Sequence, residues 1–302
     1  MPENVQTCPL CGSGRSRCFD QRKFRGHSVT NRLCLKCGLV YQSPRMTGSE
    51  ADVFYAGEYR LLYEGSSAPT ARNLADQRGR AESLYAFARP SVATVAHHLD
   101  VGCSFGLLLQ RFQEAYHCQA YGIEPGEGHR LHARKAGLTV YATLEELEKS
   151  EKIKYDFISL AHVLEHLPDP VGYLAHLRQS LLDPAGWLLI EVPNLYAHDS
   201  FEVAHLVSYS PHTLVQTLGK AGFEIVKIGQ HGRPRSELLP LYITVLARPG
   251  STATRFSPLA PEKWVALKRR LGMLRRRVLE RLFPRRAWKQ FQLNWRNDQV
   301  KT

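Results

Sequence analysis

The sequence lacks any apolar run near the ~20 residues that cross a bilayer. Its first residues, Met1-Pro2-Glu3-Asn4, show neither the basic segment nor the apolar stretch of a secretory signal. Together these absences predict a cytoplasmic protein that meets a membrane only at its inner face. No Gly-x-Gly-x-x-Gly occurs, so the dinucleotide fingerprint is missing. The 7 cysteines come without an export signal, which excludes a secreted disulfide framework and leaves thiols or metal ligands. Over residues 1–250 there is no excess of charge: 26 Lys and Arg stand against 25 Asp and Glu. Grooves for nucleic acid need distributed positive charge, so the body argues against that partner. Residues 251–302 hold 14 basic residues against 3 acidic ones, a local basic device.

What is present suits a packed globular core: 43% of residues are hydrophobic and 23% charged. Residues 1–44 contain Cys8-Pro9-Leu10-Cys11 and Cys34-Leu35-Lys36-Cys37, two CxxC pairs 22 residues apart. Each pair can give two thiolates to one tetrahedral zinc, and Gly12 and Gly38 permit the turns that follow. The spacing predicts a small zinc ribbon whose four ligands close the site, so the zinc is structural. Residues 45–96 read as a connector, with an aromatic cluster (Phe54, Tyr55, Tyr59, Tyr63) and a helix over 70–88 ending before Pro90. Aromatic rings with a polar handle suit either a lid over a site or a seam between modules.

From residue 97 strands and helices alternate. Strands are expected at 97–101, 118–123, 138–141, 155–160 and 186–192, helices at 106–115, 127–136, 169–182 and 211–221, and an antiparallel-capable pair at 223–228 and 241–247. The pattern predicts an α/β fold over residues 97–250: a Rossmann-like, mainly parallel seven-stranded sheet with helices on both faces. Ligands of such sheets sit beyond the strand C-termini at the switch point. There the sequence places Asp100-Val101-Gly102-Cys103-Ser104-Phe105-Gly106, a strand end and glycine turn, and Glu124 at the end of the next strand. An acid at that place can accept both hydroxyls of a ribose.

This stretch resembles motif I of class I S-adenosylmethionine-dependent methyltransferases, and Gly122-Ile123-Glu124-Pro125 resembles their ribose-binding turn. Ser159 to Pro170, Glu191-Val192-Pro193-Asn194, His205 to Ser210 and Ala221-Gly222-Phe223 resemble the later segments of the ubiquinone and small-molecule branch. With the N-terminal cysteines, the chain is also similar to zinc-ribbon methyltransferases that act on sugars and polysaccharides. The resemblance implies that Asp100, Gly102, Cys103, Ser104, Gly106, Glu124 and His162 line S-adenosyl-L-methionine. It places the adenine near Leu144, with Thr143 and Glu145 as neighbours. Ser104 stands where the motif has its middle glycine, and a left-handed backbone would be strained there.

Methyl transfer to a hydroxyl, or to a carbon beside a carbonyl, needs a base. His205, after the fifth strand, is the first candidate and His166 the second. The resemblance implies O- or C-methylation of a sugar, glycan intermediate or related small molecule. An RNA methyltransferase using the ribbon for recognition, and a non-catalytic cofactor-binding scaffold, are the alternatives. In the tail (251–302), Trp264, Leu267, Leu271, Leu274, Val278 and Leu282 recur at helical spacing among arginines. Residues 262–289 therefore suit an anionic membrane surface, or a stripe docked on the protein's own body, and nucleic acid less well.

Overall fold

The structure is a computed structural model that describes residues 3–48, 50, 54, 70–250 and 259–289. Tyr55, Tyr59 and Tyr63 lie outside the described residues. Phe54 is buried against Val29, Val203 and Ala204, on the seam between the N-terminal module and the main domain.

Strands β1 (Ser16–Phe24) and β2 (His27–Cys34) form a hairpin that reverses at Arg25-Gly26, both with positive φ, and β3 (Val40–Gln42) pairs antiparallel with β2. Helix α1 (Ala71–Ala88) starts on Thr70, whose hydroxyl accepts from the Asn73 N–H at 3.2 Å. The repeating part follows: β4 (His97–Val101), α2 (Leu107–Tyr116), β5 (Gln119–Ile123), α3 (Glu127–Lys135), β6 (Thr139–Tyr141), α4 (Leu144–Ser150) and β7 (Tyr155–Ala161). Next come α5 (Pro170–His176), β8 (Leu182–Pro193), β9 (Val207–Ser208), α6 (Pro211–Lys220), β10 (Phe223–His231) and β11 (Tyr242–Pro249). Helices α7 (Val265–Leu282) and α8 (Pro284–Ala287) close the described chain.

The large sheet has seven strands in the order β10-β11-β8-β7-β4-β5-β6. The pairs among β8, β7, β4, β5 and β6 are parallel, and β11 runs antiparallel between β8 and β10. This is the expected Rossmann-like sheet. Strand order reverses between β4 and β7, so the switch-point crevice opens beyond Val101 and Ala161. Helix α6 carries a capping box from Ser210 and Thr213 with Pro211 in its first turn, and ends before Gly222 at φ 93°. Two elements differ from the sequence reading. Thr143 caps an additional helix, α4. The helix expected over 169–182 is α5, capped by Asp169, continued by a π turn over 177–181 that runs directly into β8.

The N-terminal module is not a free appendage. Its sheet is completed by β9 from the main domain, with Tyr41 opposite Val207 and Val40 opposite Ser208. Leu10, Leu39 and Tyr41 share one core with Leu206, Tyr209 and Leu214. Lys220 Nζ also donates to the Leu10 carbonyl at 2.6 Å. Helix α1 likewise belongs to the main body, burying Ala81, Leu84 and Ala88 against Leu108 and Phe112.

Helix α7 docks by the face opposite its apolar stripe. Val265 and Arg269 are its buried residues, and the Arg269 guanidinium donates to the carbonyls of Leu195 and His198. A Cβ at Gly272 would strike the Tyr196 carbonyl, Arg276 donates to the Ala197 carbonyl, and Leu279 packs with Trp288 on Leu239 and Tyr242. Arg269 is thus a docking residue, because guanidinium donors satisfy loop carbonyls that leucine cannot. The predicted stripe is open to solvent: Trp264 is 74% exposed, Leu271 and Leu274 57% each, and Leu267, Val278 and Leu282 are exposed as well.

Candidate active site

The crevice beyond the parallel strands has two halves. The first is the turn after β4. Gly102, Ser104 and Gly106 have φ of 72°, 50° and 80°, so the chain makes a compact left-handed loop before α2. Side chains at the two glycines would strike Val163 and Leu138. Ser104 meets the anticipated strain and offsets it through its side chain. Its Oγ accepts from Gln77 Nε2 of α1 at 2.7 Å and lies 2.9 Å from His129 Nδ1 of α3. The Ser104 N–H donates to Glu124 Oε2 at 3.0 Å, and Glu124 Oε1 takes the Gly126 N–H at 2.8 Å. Glu124 therefore holds the loop through both of its carboxylate oxygens.

Asp100, on β4, is in register with Ser159 on β7. Ser159 Oγ donates to Asp100 Oδ1 at 2.6 Å and lies 2.8 Å from His98 Nε2. Since the serine proton goes to the carboxyl group, His98 supplies the other hydrogen bond from Nε2–H. Burial pushes His98 down to about 3, so its ring is neutral. Burial pushes Asp100 up to about 7, opposed by the Ser159 bond and aided by the Glu124 charge.

The second half is the segment after β7. His162 sits at φ 58° with Nε2 3.2 Å from Glu191 Oε1 and Nδ1 3.3 Å from Glu165 Oε1. Glu165 and His166 follow in a single 3-10 turn, and His166 Nδ1 donates to the Ala204 carbonyl at 2.9 Å. His205 arrives from the loop before β9, its ring centroid 4.9 Å from that of His166 and its Nδ1 donating to the Ser200 carbonyl at 2.8 Å. Burial alone would raise Glu165, but the His162 contact and the fields of His166 and His205 hold it at about 2. Burial takes His166 down to about 4 against the pull of Glu165.

The structure thus brings Asp100, Gly102, Ser104, Gly106 and Glu124 to one wall and His162, His166 and His205 to the other. It does not bring the Cys103 side chain there. That thiol is buried with Leu109, Ala120, Ala133 and Leu138, hard against Gly122, because the residue after Gly102 turns back beneath the loop. Thr143 spends its hydroxyl on capping α4. The sequence reading quotes Glu191 in a family-like segment but gives it no role; it is fully buried between Arg80 at 3.0 Å, His162 at 3.2 Å and His231 at 3.1 Å. Burial would raise it, and these three cations or donors hold it far below the usual carboxylate range. Gln77 and Arg80 lie three residues apart on one face of α1, so this helix ties the β4 turn to the end of β8. An i, i+3 polar pair inside an amphipathic helix is the one signal the sequence offered.

The four N-terminal cysteines form a separate cluster. Cys8 Sγ is 3.6 Å from Cys37 Sγ, Cys11 Sγ is 3.4 Å from Cys34 Sγ, and all four sulfurs lie within 4.8 Å of one another. Sulfurs on a tetrahedral zinc with bonds of about 2.3 Å stand about 3.8 Å apart, so the donor set fits that ion.

Comparison with known proteins agrees with this geometry. Residues 74–228 match the family described as "Methyltransferase domain". The chain is 34% identical over 83 residues to a ubiquinone biosynthesis O-methyltransferase of Hahella chejuensis, covering 25% of this chain and 34% of that one. It is 37% identical over 78 residues to the enzyme of the same description from a Shewanella species, covering 24% and 33%. The match therefore spans about a third of those relatives. In fold, it is similar to the Burkholderia thailandensis 1,6-didemethyltoxoflavin-N1-methyltransferase bound to S-adenosylhomocysteine (TM-score 0.55, 18% identity, 72% of this chain and 98% of that one). It is also similar to the [4+2]-cyclase SpnF (TM-score 0.51, 16% identity, 68% and 98%), so the fold alone does not fix the reaction.

Proposed function

The chain belongs to the S-adenosylmethionine-dependent methyltransferases, and from that premise we propose that it methylates a hydroxyl of a sugar, glycan intermediate or related small molecule. The residues fit the cofactor: Glu124 places a carboxylate at the end of β5, where an acid takes ribose hydroxyls, the left-handed turn at Gly102 to Gly106 lets backbone approach closely, and Asp100 offers a carboxylate for the cationic methionine end. When bound, S-adenosylmethionine supplies an electrophilic methyl group. The chain's own task is to align the acceptor and ionise it. The observation that carries the reading is the meeting of Glu165, His166 and His205 across the crevice from the β4 turn. His205, neighboured by a carboxylate and held by the Ser200 carbonyl, takes the hydroxyl proton. The four-cysteine cluster carries structural zinc, which fixes β3 and through it β9 and His205. Incubation with tritiated S-adenosylmethionine and separate pools of sugar nucleotides, membrane lipid extract and total RNA tests the acceptor class. Label in sugar or lipid supports the reading. Label in RNA alone, or none with the cofactor bound, refutes it.

The acceptor reaches the enzyme at an anionic membrane surface through α7. No described helix is long and apolar enough to cross a membrane. Yet the leucine stripe of α7 is open, while Lys268, Arg270, Arg275, Arg277 and Arg281 rise along the same helix. Full burial of a leucine-sized side chain is worth roughly 1.5–3 kcal/mol, and each basic residue near an anionic surface adds about 1 kcal/mol. A helix already docked by its other face presents both terms together. Vesicles with a third anionic lipid should pellet the protein, whereas neutral vesicles and the double variant Leu271→Glu/Leu274→Glu should not. Equal pelleting by neutral vesicles, or binding to RNA in preference to vesicles, contradicts the assignment.

A further inference from the structure

A cleft of about 510 Å³ lies where β1, the 195–206 loop and α7 meet. Its charges do not balance. Arg22 donates to both oxygens of Asp20, at 2.7 and 2.8 Å, and to Asp199 at 2.9 Å. Arg269 reaches the same Asp199 oxygen at 3.1 Å. These two arginines and two aspartates neutralise one another. Arg270 and Arg277 also line the cleft, and neither has a hydrogen bond or ion pair among the described residues. They stand seven residues apart on α7, about 10 Å along the helix, a gap that two arginine side chains close around one group. The rest of the lining is apolar. Phe19 and Phe201 meet edge to face at 6.1 Å, and α7 adds Met273 and Leu274. Leu274 belongs to the open stripe as well, so the cleft and the stripe share a side chain.

We propose that this cleft binds a lipid phosphate monoester, with the phosphate between Arg270 and Arg277 and the first apolar groups of the lipid against Phe19, Met273 and Leu274. A phosphate monoester carries about −1.5 to −2 charge at pH 7, which matches the two uncompensated guanidiniums. Each planar guanidinium pairs two N–H donors with two phosphate oxygens. A phosphodiester headgroup has one charge and two unesterified oxygens, so it fills one such fork and leaves the other arginine unmatched. Inorganic phosphate satisfies both arginines but leaves the apolar side of the cleft in water. The assignment rests on the membrane-surface reading of α7 given above and names the lipid that the surface prefers. Asp199 and Phe201 flank Ser200, whose carbonyl receives His205 Nδ1, so one loop forms a wall of the cleft and supports the acceptor side of the crevice.

Full-length protein is titrated with vesicles that carry phosphatidic acid or phosphatidylglycerol and are matched in zeta potential. The wild type should bind the phosphatidic acid vesicles at least fivefold more tightly. Arg270→Gln/Arg277→Gln should lose that preference. Arg275→Gln/Arg281→Gln, an equal loss of charge outside the cleft, should weaken binding to both and keep it. All four arginines are exposed, so neither double variant disturbs the core. Equal affinity of the wild type for the two lipids overturns the cleft and leaves the membrane-surface reading standing, a result that needs no variant. A preference that survives in Arg270→Gln/Arg277→Gln overturns the cleft too. Excess inorganic phosphate at constant ionic strength should leave the preference in place; its loss assigns the site to free phosphate and overturns the lipid. If the wild type binds no vesicle, calorimetry with hexyl phosphate against inorganic phosphate decides. Tighter binding of hexyl phosphate, lost in Arg270→Gln/Arg277→Gln, upholds the cleft while the membrane-surface reading falls. Equal binding, or none, overturns both.

Discussion

Replacing Ser104 by glycine restores the residue common at the middle of this turn, and the structure predicts that it destabilises the protein. Ser104 holds φ 50°, a left-handed backbone that costs a side chain about 1–2 kcal/mol. Glycine recovers that amount. It also removes the hydroxyl that meets Gln77 at 2.7 Å and His129 at 2.9 Å. Two hydrogen bonds contribute about 0.5–1.5 kcal/mol each, and a half-buried amide left facing a void costs about 1–3 kcal/mol more. Glycine's extra unfolded-state freedom adds about 0.5–1 kcal/mol. The balance is a net loss centred at about 3 kcal/mol, within a span of about 0.5–6 kcal/mol, or roughly 5–10 °C in Tm at the centre for a chain of this size. Ser104→Ala keeps the strained backbone and loses the same bonds, so it should melt lowest. Differential scanning fluorimetry at neutral pH without cofactor orders the three proteins. A Ser104→Gly protein that melts above the wild type would show that the tie from α1 to the turn contributes nothing.

Three further outcomes follow from the geometry. Glu124→Ala should weaken S-adenosylhomocysteine binding by at least tenfold in calorimetry, since it removes the ribose acceptor and frees the Ser104 and Gly126 amides; an unchanged dissociation constant would rule out the ribose assignment. Removing metal from the cysteine cluster, or Cys34→Ser, should cut methyl transfer by more than tenfold with cofactor affinity within about twofold, because β3 is the strand that holds β9 beside His205; parallel loss of both would mean that the module supports the whole fold. Asp100 has a folded pKa raised to about 7, above its unfolded value, so its burial is free of penalty at pH below 4 and increasingly costly as pH rises through 7. Asp100→Asn should therefore raise Tm more at pH 8 than at pH 5 while weakening cofactor binding, and an equal shift at both values would dismiss the charge as the cause.

The parallel sheet was legible because strands such as Tyr155–Ala161 and Leu182–Pro193 carry apolar runs and alternate with amphipathic helices, a signal that survives without any tertiary information. The donor wall was legible for a related reason: a turn needing Gly102 and Gly106 at positive φ, followed by an acid at the next strand end, leaves its mark in local sequence. The acceptor wall was only half legible. His166 and His205 stood in recognisable segments, yet their pairing spans 39 residues and depends on β9 adding to the ribbon sheet, which no local pattern encodes. The role of Glu191 stayed hidden because it reads as the polar end of a buried strand, and its partners Arg80 and His231 come from distant elements. Cys103 misled because motif position says nothing of which way a side chain turns. Helix α7 showed its periodicity plainly, but periodicity fixes only that one face is apolar. That arginines dock the helix and leucines meet solvent follows from the unpaired carbonyls of the 195–198 loop, a tertiary fact.

The central claim is that one wall of the crevice binds the methyl donor and the other activates the acceptor. Paired calorimetry and tritium transfer on His205→Ala tests it most directly. The account predicts S-adenosylhomocysteine affinity within about twofold of wild type and label transfer reduced by more than a hundredfold. Transfer at the wild-type rate would remove His205 and its cluster from the reaction, and loss of cofactor affinity in the folded variant would show that the two walls are not separate.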